Sequence, residues 1–219
     1  MRHRDLIPTM LVFSGAVAAF TWIAANVETD GMLTLIDAWV GTWLHLHAIP
    51  LITEAMIVIS FLGAPSTLTA VTAVVCVALV RKRSYDRLVT LVTLVLGGNL
   101  LNYGLKHLIH RGRPTFEDPL LTLSSYSFPS GHAMASTVFY GFVIVCVLTM
   151  ARRRHNVAIT AGILMVGLVC LSRVYLGVHY VTDVLGGILE AIAWSTLALT
   201  ALRRARAHPR NGGSRRQAE

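Results

Sequence analysis

The sequence predicts an all-α polytopic membrane protein, and two observations carry that prediction. Hydrophobic residues make up 54% of the 219 residues and charged residues only 14%, with a mean hydropathy of +0.62; soluble domains are less apolar than this. The apolar residues also fall into long runs, separated by short segments that carry most of the Lys and Arg. We therefore expect six transmembrane helices plus an interfacial amphipathic helical segment in one domain, residues 1–207, and a disordered cytoplasmic tail at 208–219.

The charge and the cysteines exclude several classes of protein. A formal net charge of +8 and a pI near 10.0 would suit a nucleic-acid-binding protein, but the basic residues cluster between apolar runs, as they do in membrane proteins. Cys76, Cys146 and Cys170 are odd in number and scattered among apolar runs, so neither a disulfide framework nor a zinc site is indicated. The expected partners are membrane lipids and not nucleic acid.

The first apolar run, residues 6–27, follows a basic N-terminus. A cleaved signal peptide is the alternative, but the run is longer than the apolar core of such peptides, which favours an uncleaved first membrane helix. Residues 32–47 carry apolar side chains at helical spacing, two of them Trp, which predicts an amphipathic helix in the membrane interface. A further helical segment at 50–62 carries Glu54, and residues 63–66 are predicted to form a break and an N-cap.

Five further runs complete the predicted helices, at residues 67–80, 88–105, 133–150, 157–171 and 179–202. Basic clusters at the N-terminus and after the second, fourth and sixth runs all fall on one side of this arrangement. By the positive-inside rule that side is cytoplasmic, and so are both termini.

Four cations lie on the opposite, extracytoplasmic side, where this rule does not expect them: Lys106, Arg111, Arg113 and Arg173. An anionic ligand on that face would explain their position. The sequence therefore predicts an active or binding site at the extracytoplasmic face.

The stretch Ser172–Asp183 places ionisable residues next to apolar sequence, which is costly and indicates function. If it is helical, His179 and Asp183 share a face, and the carboxylate can accept a proton from one imidazole nitrogen. The other nitrogen is then free to act as a nucleophile. The planar guanidinium of Arg173 suits a phosphate. An interfacial ion pair that caps a helix is the structural alternative.

Two other motifs fall on the same predicted face. Lys106 and Arg113 precede Pro114, and an ammonium with a guanidinium can neutralise a phosphate, although a basic loop near lipid headgroups would look similar. The sequence Pro129-Ser130-Gly131-His132 precedes a long apolar run and is typical of a helix start. Free backbone N–H groups at such a start bind anions, but a simple Ser N-cap beside an uninvolved His is the alternative.

The three motifs together resemble the signature of the type 2 phosphatidic acid phosphatase superfamily, which also includes vanadium haloperoxidases. Every signature position is present, in order: Lys106, Arg113, Pro114, Pro129, Ser130, Gly131, His132, Ser172, Arg173, His179 and Asp183. The resemblance covers the third to sixth predicted helices, and the layout is similar to the bacterial membrane branch of that family. It implies a protein of the bacterial inner membrane.

The resemblance implies a metal-independent phosphatase. His179 would attack phosphorus and form a phosphohistidine, Asp183 would orient it, and His132 would protonate the leaving oxygen and then help to activate water. The phosphate oxygens would be held by a further set of residues: Lys106, Arg113, Ser130, Gly131 and Arg173. No cofactor is implied, and the sequence offers no carboxylate cluster for Mg²⁺.

The substrate implied is a lipid phosphate or diphosphate, of the undecaprenyl diphosphate, phosphatidylglycerophosphate or phosphatidate type, with a slight preference for a prenyl diphosphate. A lipid A phosphatase or a phosphotransferase could use the same scaffold, and a lipid-phosphate transporter or binding protein is the non-enzyme alternative. Neither the oligomeric state nor the roles of Glu54, Arg111, Glu117 and Tyr126 follow from the sequence.

Overall fold

The computed structural model describes residues 3–121, 123–150 and 155–207. Those residues form eight helices and no strand: α1 (His3–Glu28), α2 (Met32–Leu46), α3 (Pro50–Leu62), α4 (Pro65–Arg81), α5 (Tyr85–Ile109), α6 (Gly131–Met150), α7 (His155–Tyr175) and α8 (Val181–Ala207). The predicted tail at 208–219 and the basic cluster at 152–154 lie outside the described residues.

The helices confirm a multi-pass membrane protein. Among the described residues, α1, α5, α6, α7 and α8 are each long and apolar enough to cross a membrane. The sixth span differs from the prediction, which used residues 67–80 alone. It requires α3 and α4 together, and this pair is bent by 44° at the short break between them. The predicted break and N-cap at residues 63–66 are present: Ala64 is the N-cap of α4, without a side-chain hydrogen bond, and Pro65 opens the helix without an N–H to satisfy.

Helix α2 is amphipathic, as predicted. Its exposed side chains include Met32, Leu35 and Trp39, while Asp37 and Gly41 face the protein and are buried. An exposed apolar stripe of this kind suits the boundary between lipid and water. The buried carboxylate on the inner face has a separate role in the site.

The core lies where α6 packs against α5, α7 and α8. Buried apolar side chains from three of these helices form its largest cluster, among them Leu91, Leu94, Met134, Phe139 and Ala191. Helix α1 packs along α8 on the outside of this group. The bundle therefore brings one end of α5, α6, α7 and α8 together, and the three sequence motifs lie at that end.

Three helix boundaries differ from the prediction near those motifs. Helix α5 continues past Lys106, α7 includes Ser172 and Arg173, and α8 begins only after His179. Apolar runs end at the first charged residue, but a helix can continue through charged side chains that have polar surroundings at its end. Lys106 and Arg173 are therefore held on helical turns, whereas His179 lies in the connection before α8.

Candidate active site

His179 and Asp183 lie together where α8 begins. Nδ1 of His179 is 3.2 Å from Oδ2 of Asp183. The two residues do not share a helical face, because His179 precedes the helix. Instead the carboxylate turns back over the helix start and accepts the backbone N–H of Tyr180 at 2.9 Å, as an acidic residue in the first turn commonly does. The expected contact is present, but a helix cap produces it.

The surroundings of His179 keep its imidazole neutral. The side chain is 3% exposed, and this burial lowers its pKa to about 4 against the opposing effect of Asp183. Arg113 Nη1 lies 3.3 Å from the other ring nitrogen, Nε2. With Nδ1 directed at the carboxylate, Nε2 carries the free electron pair and faces a guanidinium.

Arg173 is a buried cation with unused donors. Its side chain is 2% exposed, and its Nη1 donates to the hydroxyl of Ser60. Its Nε and Nη2 have no hydrogen-bond partner among the described residues. Unpaired donors on a buried charge are costly, and a bound anion would satisfy them.

Lys106 and Arg113 also have no carboxylate partner in the described part of the chain. The ammonium of Lys106 donates to the carbonyl oxygens of Tyr126 and Ser127 at 2.7 and 3.2 Å. Arg113 donates to the carbonyls of Ser125 and Val178, both at 2.6 Å. Burial lowers the pKa of Arg113, with Asp183 opposing that effect. Carbonyl oxygens orient these cations without neutralising them.

The start of α6 completes the group. Ser130 is fully buried, its N–H donates to the backbone oxygen of Asp183 at 2.9 Å, and its hydroxyl lies 3.5 Å from the N–H of Ala133. Gly131 is the first residue of α6, so the positive end of the helix dipole lies on the side of the cations. His132 is half-buried in the first turn. Arg173, Arg113 and Lys106 place positive charge around it.

A profile of the PAP2 superfamily matches residues 87–207, more than half of the chain. The chain belongs to the PAP2 superfamily. This confirms the resemblance on which the three motifs were interpreted, and the matched residues run from the start of α5 to the end of α8.

Individual PAP2 proteins show the same relationship. Phosphatidylglycerophosphatase B of Bacillus subtilis (strain 168) is 38% identical over 174 residues, which cover 77% of this chain and 83% of the relative. The crystal structure of a transmembrane PAP2 type phosphatidylglycerolphosphate phosphatase from Bacillus subtilis matches with a TM-score of 0.81 and 28% identity, over 91% of this chain and all of that one. Aquifex aeolicus LpxE shares the fold, with a TM-score of 0.59 and 21% identity, over 75% and 95% of the two chains.

Several polar residues outside the PAP2 motifs also support the site. The hydroxyl of Ser127 bonds Asp183. Near the start of α6, the side-chain amide of Asn102 donates two hydrogen bonds, one to Oε2 of Glu190 at 2.7 Å and one to the carbonyl oxygen of Pro129 at 3.4 Å. The signal that could have identified Asn102 and Glu190 is a lone polar residue within an apolar helix.

Two of the four residues whose roles were open lie at the surface. Glu54 and Glu117 have exposed side chains. Tyr126 contributes its backbone oxygen to both Lys106 and Arg113, while its ring packs edge-on against two histidines near the end of α5. Arg111 faces inward, toward Asp183.

The donor set at this site does not resemble a metal centre. Among the described residues, no group of three or more His, Cys, Asp or Glu side chains could hold a metal ion. Arg113 and Arg173 place positive charge near His179, which suits phosphate oxygens.

Proposed function

We propose that this protein hydrolyses a lipid phosphate in the membrane, with phosphatidylglycerophosphate as the first candidate. One observation carries the proposal: Arg113 and Arg173 lie beside His179, Lys106 joins them around His132, and none of the three forms an ion pair with any described residue. Three cations without counter-ions around a neutral imidazole suit a phosphate group bound for attack.

His179 is the proposed nucleophile. Nε2 attacks phosphorus as the bond to the leaving lipid oxygen breaks, and Asp183 holds Nδ1–H and stabilises the imidazolium that forms. The product of this step is a phosphohistidine and a lipid alcohol. Water then attacks the phosphohistidine, which releases inorganic phosphate and restores the neutral ring.

His132 is the proposed proton donor to the leaving oxygen and, in the second step, the acceptor of a proton from water. Lys106, Arg113 and Arg173 hold the equatorial oxygens of the phosphoryl group, with the Ser130 hydroxyl and the Gly131 N–H at the helix start. Charge spreads over these oxygens in the transition state, and each well-placed donor contributes about 3 kcal/mol there.

We further propose that catalysis needs no metal or other cofactor, because the cations supply the charge that Mg²⁺ would otherwise provide. The site is proposed to face the extracytoplasmic side of the inner membrane, with both termini in the cytoplasm, since Arg81 and Arg203 lie at the other end of the bundle. A substrate with a lipid tail could then reach the cations from the bilayer.

The two Bacillus subtilis relatives favour phosphatidylglycerophosphate over the prenyl diphosphate that the sequence slightly preferred. Undecaprenyl diphosphate, phosphatidate and lipid A phosphates are therefore comparison substrates. A phosphotransferase would use the same first step and pass the phosphoryl group to an acceptor other than water.

Release of inorganic phosphate tests the proposal directly. The purified protein in detergent, with a chelator present, is given these lipids beside His179→Ala and the matched control His155→Ala, whose histidine lies at the opposite end of the bundle. We expect release that requires His179, persists with chelator and is unchanged in the control. Full activity of His179→Ala, or a loss with chelator that Mg²⁺ restores, would contradict the proposed site.

A further inference from the structure

One arginine connects the catalytic carboxylate to helix α2. Arg111 Nη1 is 2.6 Å from Oδ1 of Asp183, and its Nη2 is 2.8 Å from Oδ2 of Asp37. Both carboxylates are buried, at 0% and 1% exposure. A guanidinium can serve two acceptors in this way because its donors are fixed in one plane.

The two oxygens of Asp183 have different partners. Oδ2 faces His179, the Ser127 hydroxyl and the Tyr180 N–H. Oδ1 is bonded by Arg111. The rotation of the carboxylate about its terminal bond therefore depends on Arg111, and this rotation decides whether Oδ2 stays aligned with the imidazole Nδ1.

Arg111 is itself held from several directions. Its Nη1 donates to the Thr182 hydroxyl at 2.7 Å, and its guanidinium carbon lies 4.1 Å from the ring centre of Tyr180. Burial would lower its pKa, but Asp183 and Asp37 together raise it. The side chain stays charged and has little freedom to leave the carboxylate.

Asp37 is the part of this arrangement that comes from α2. One oxygen accepts the backbone N–H of Thr182 at 3.0 Å, and the other accepts both the Thr182 hydroxyl and Arg111. It lies on the inner face of a helix whose outer face is apolar and exposed. A single buried carboxylate thus ties the amphipathic helix to the first turn of α8.

We propose that Arg111 and Asp37 are positioning residues, through which α2 fixes the orientation of Asp183 and hence of the nucleophilic imidazole. Neither residue touches the phosphate. The inference rests on the proposed function, because it assumes that His179 and Asp183 act as a pair. It assigns to α2 a part in the reaction step in addition to any contact with lipid.

The direct test is a double-mutant cycle. Asp37→Asn keeps the shape of the side chain but weakens its bond to Arg111, and we expect kcat to fall roughly tenfold, as when a partner behind a catalytic ligand is removed, with KM within about twofold. In an Asp183→Asn background the same substitution should change kcat less than twofold, because its effect passes through Asp183. Asp30→Asn, an exposed acid just before α2, is the matched control and should change neither constant.

Arg111→Lys provides a second variant that keeps the charge. A lysine cannot bond both carboxylates as the fork does, so we expect a similar fall in kcat with KM preserved. Size-exclusion profiles and thermal midpoints in detergent should show that each variant is folded. An unchanged kcat in Asp37→Asn and Arg111→Lys, or an equal effect of Asp37→Asn with and without Asp183, would overturn the inference.

His179→Ala, assayed in parallel, separates this inference from the function it rests on. If His179→Ala is active, the proposed nucleophile is wrong and the inference fails with it. If His179→Ala is inactive while Asp37→Asn turns over normally, the proposed function stands and only the positioning role fails.

Discussion

The charged residues at the two ends of α8 differ in burial and in their partners. In its first turn, Asp183 is fully buried and bonded to Arg111, His179 and Ser127. In its last turn, Arg206 pairs with Asp86 at 3.2 Å, and these side chains are 41% and 84% exposed. A cleft of about 510 Å³ opens near the second end; its surface is mostly apolar, and its lining includes none of the site residues.

The difference supports the proposal that the ligand binds at the first end. Exposed pairs such as Arg206 with Asp86 contribute at most about 1 kcal/mol, because water screens them. At the other end, Arg173 is buried with unused donors, an arrangement that costs stability unless an anion binds. A cleft by itself is therefore a poor guide to the site here, and unneutralised buried charge is a better one.

The largest expected effect comes from removing Arg173. Arg173→Met keeps an unbranched side chain without the charge, and phosphate release should fall about 10²- to 10³-fold, as when one transition-state donor is lost. The thermal midpoint without substrate should be no lower than that of the unmodified protein, since an unpaired buried charge has been removed. A rate within tenfold, or a sharp fall in the midpoint, would show that Arg173 serves the fold and not the ligand.

The titration of His179 tests whether the first end of α8 is buried as described. Because burial lowers its pKa from 6.5 to about 4, the unfolded chain binds this proton more tightly than the folded one. The neutral His179 ring therefore makes its full contribution to the free energy of unfolding above pH 6.5, and this contribution is lost as the pH falls toward 4. NMR of protein labelled in the histidine rings, assigned with His179→Gln, should show a resonance that titrates near pH 4; titration near 6.5 would mean that the ring is exposed.

Gly187 tests how closely α8 must approach the start of α6. A methyl group on this residue would lie 2.4 Å from the carbonyl oxygen of Ser130, so Gly187→Ala should destabilise the protein by about 1–3 kcal/mol and reduce turnover. Gly167→Ala is the control, because nothing lies within 4 Å of a methyl group there, and it should be as stable or slightly more so. Equal thermal midpoints for the two variants would argue against this packing.

The smallest effect is expected at the other end of α8. Arg206→Gln should change stability by less than about 0.5 kcal/mol and leave phosphate release unaffected, because its pair with Asp86 is exposed. Thermal unfolding in low and high salt provides the measurement. A loss comparable with that of Gly187→Ala would remove the distinction between the two ends.

The sequence predicted much of this molecule because membrane helices and the three motifs leave local signals. Apolar runs identified the helices, and the spacing of the basic residues placed Lys106 and Arg173 on one face. Boundaries were less accurate, since a run of apolar residues ends before the helix does, as at α5 and α7.

The remainder depends on contacts between distant parts of the chain. Asp37 and Arg111 are 74 residues apart, and no periodicity connects them. The contact between His179 and Asp183 was predicted for a shared helix face, yet it arises from a cap at the start of α8. Such pairings follow from how α2 and α8 pack, which only the folded structure shows.

Trapping of the phosphoenzyme tests the central claim most directly. An aryl phosphate with a radiolabelled phosphoryl group needs no protonation of its leaving group, so the first step can proceed when water activation is slowed by His132→Gln. After quenching in alkali, which preserves phosphohistidine, we expect label on the peptide that contains His179, more of it in His132→Gln and none in His179→Ala. Label on a different residue, or rapid turnover of His179→Ala, would contradict the account.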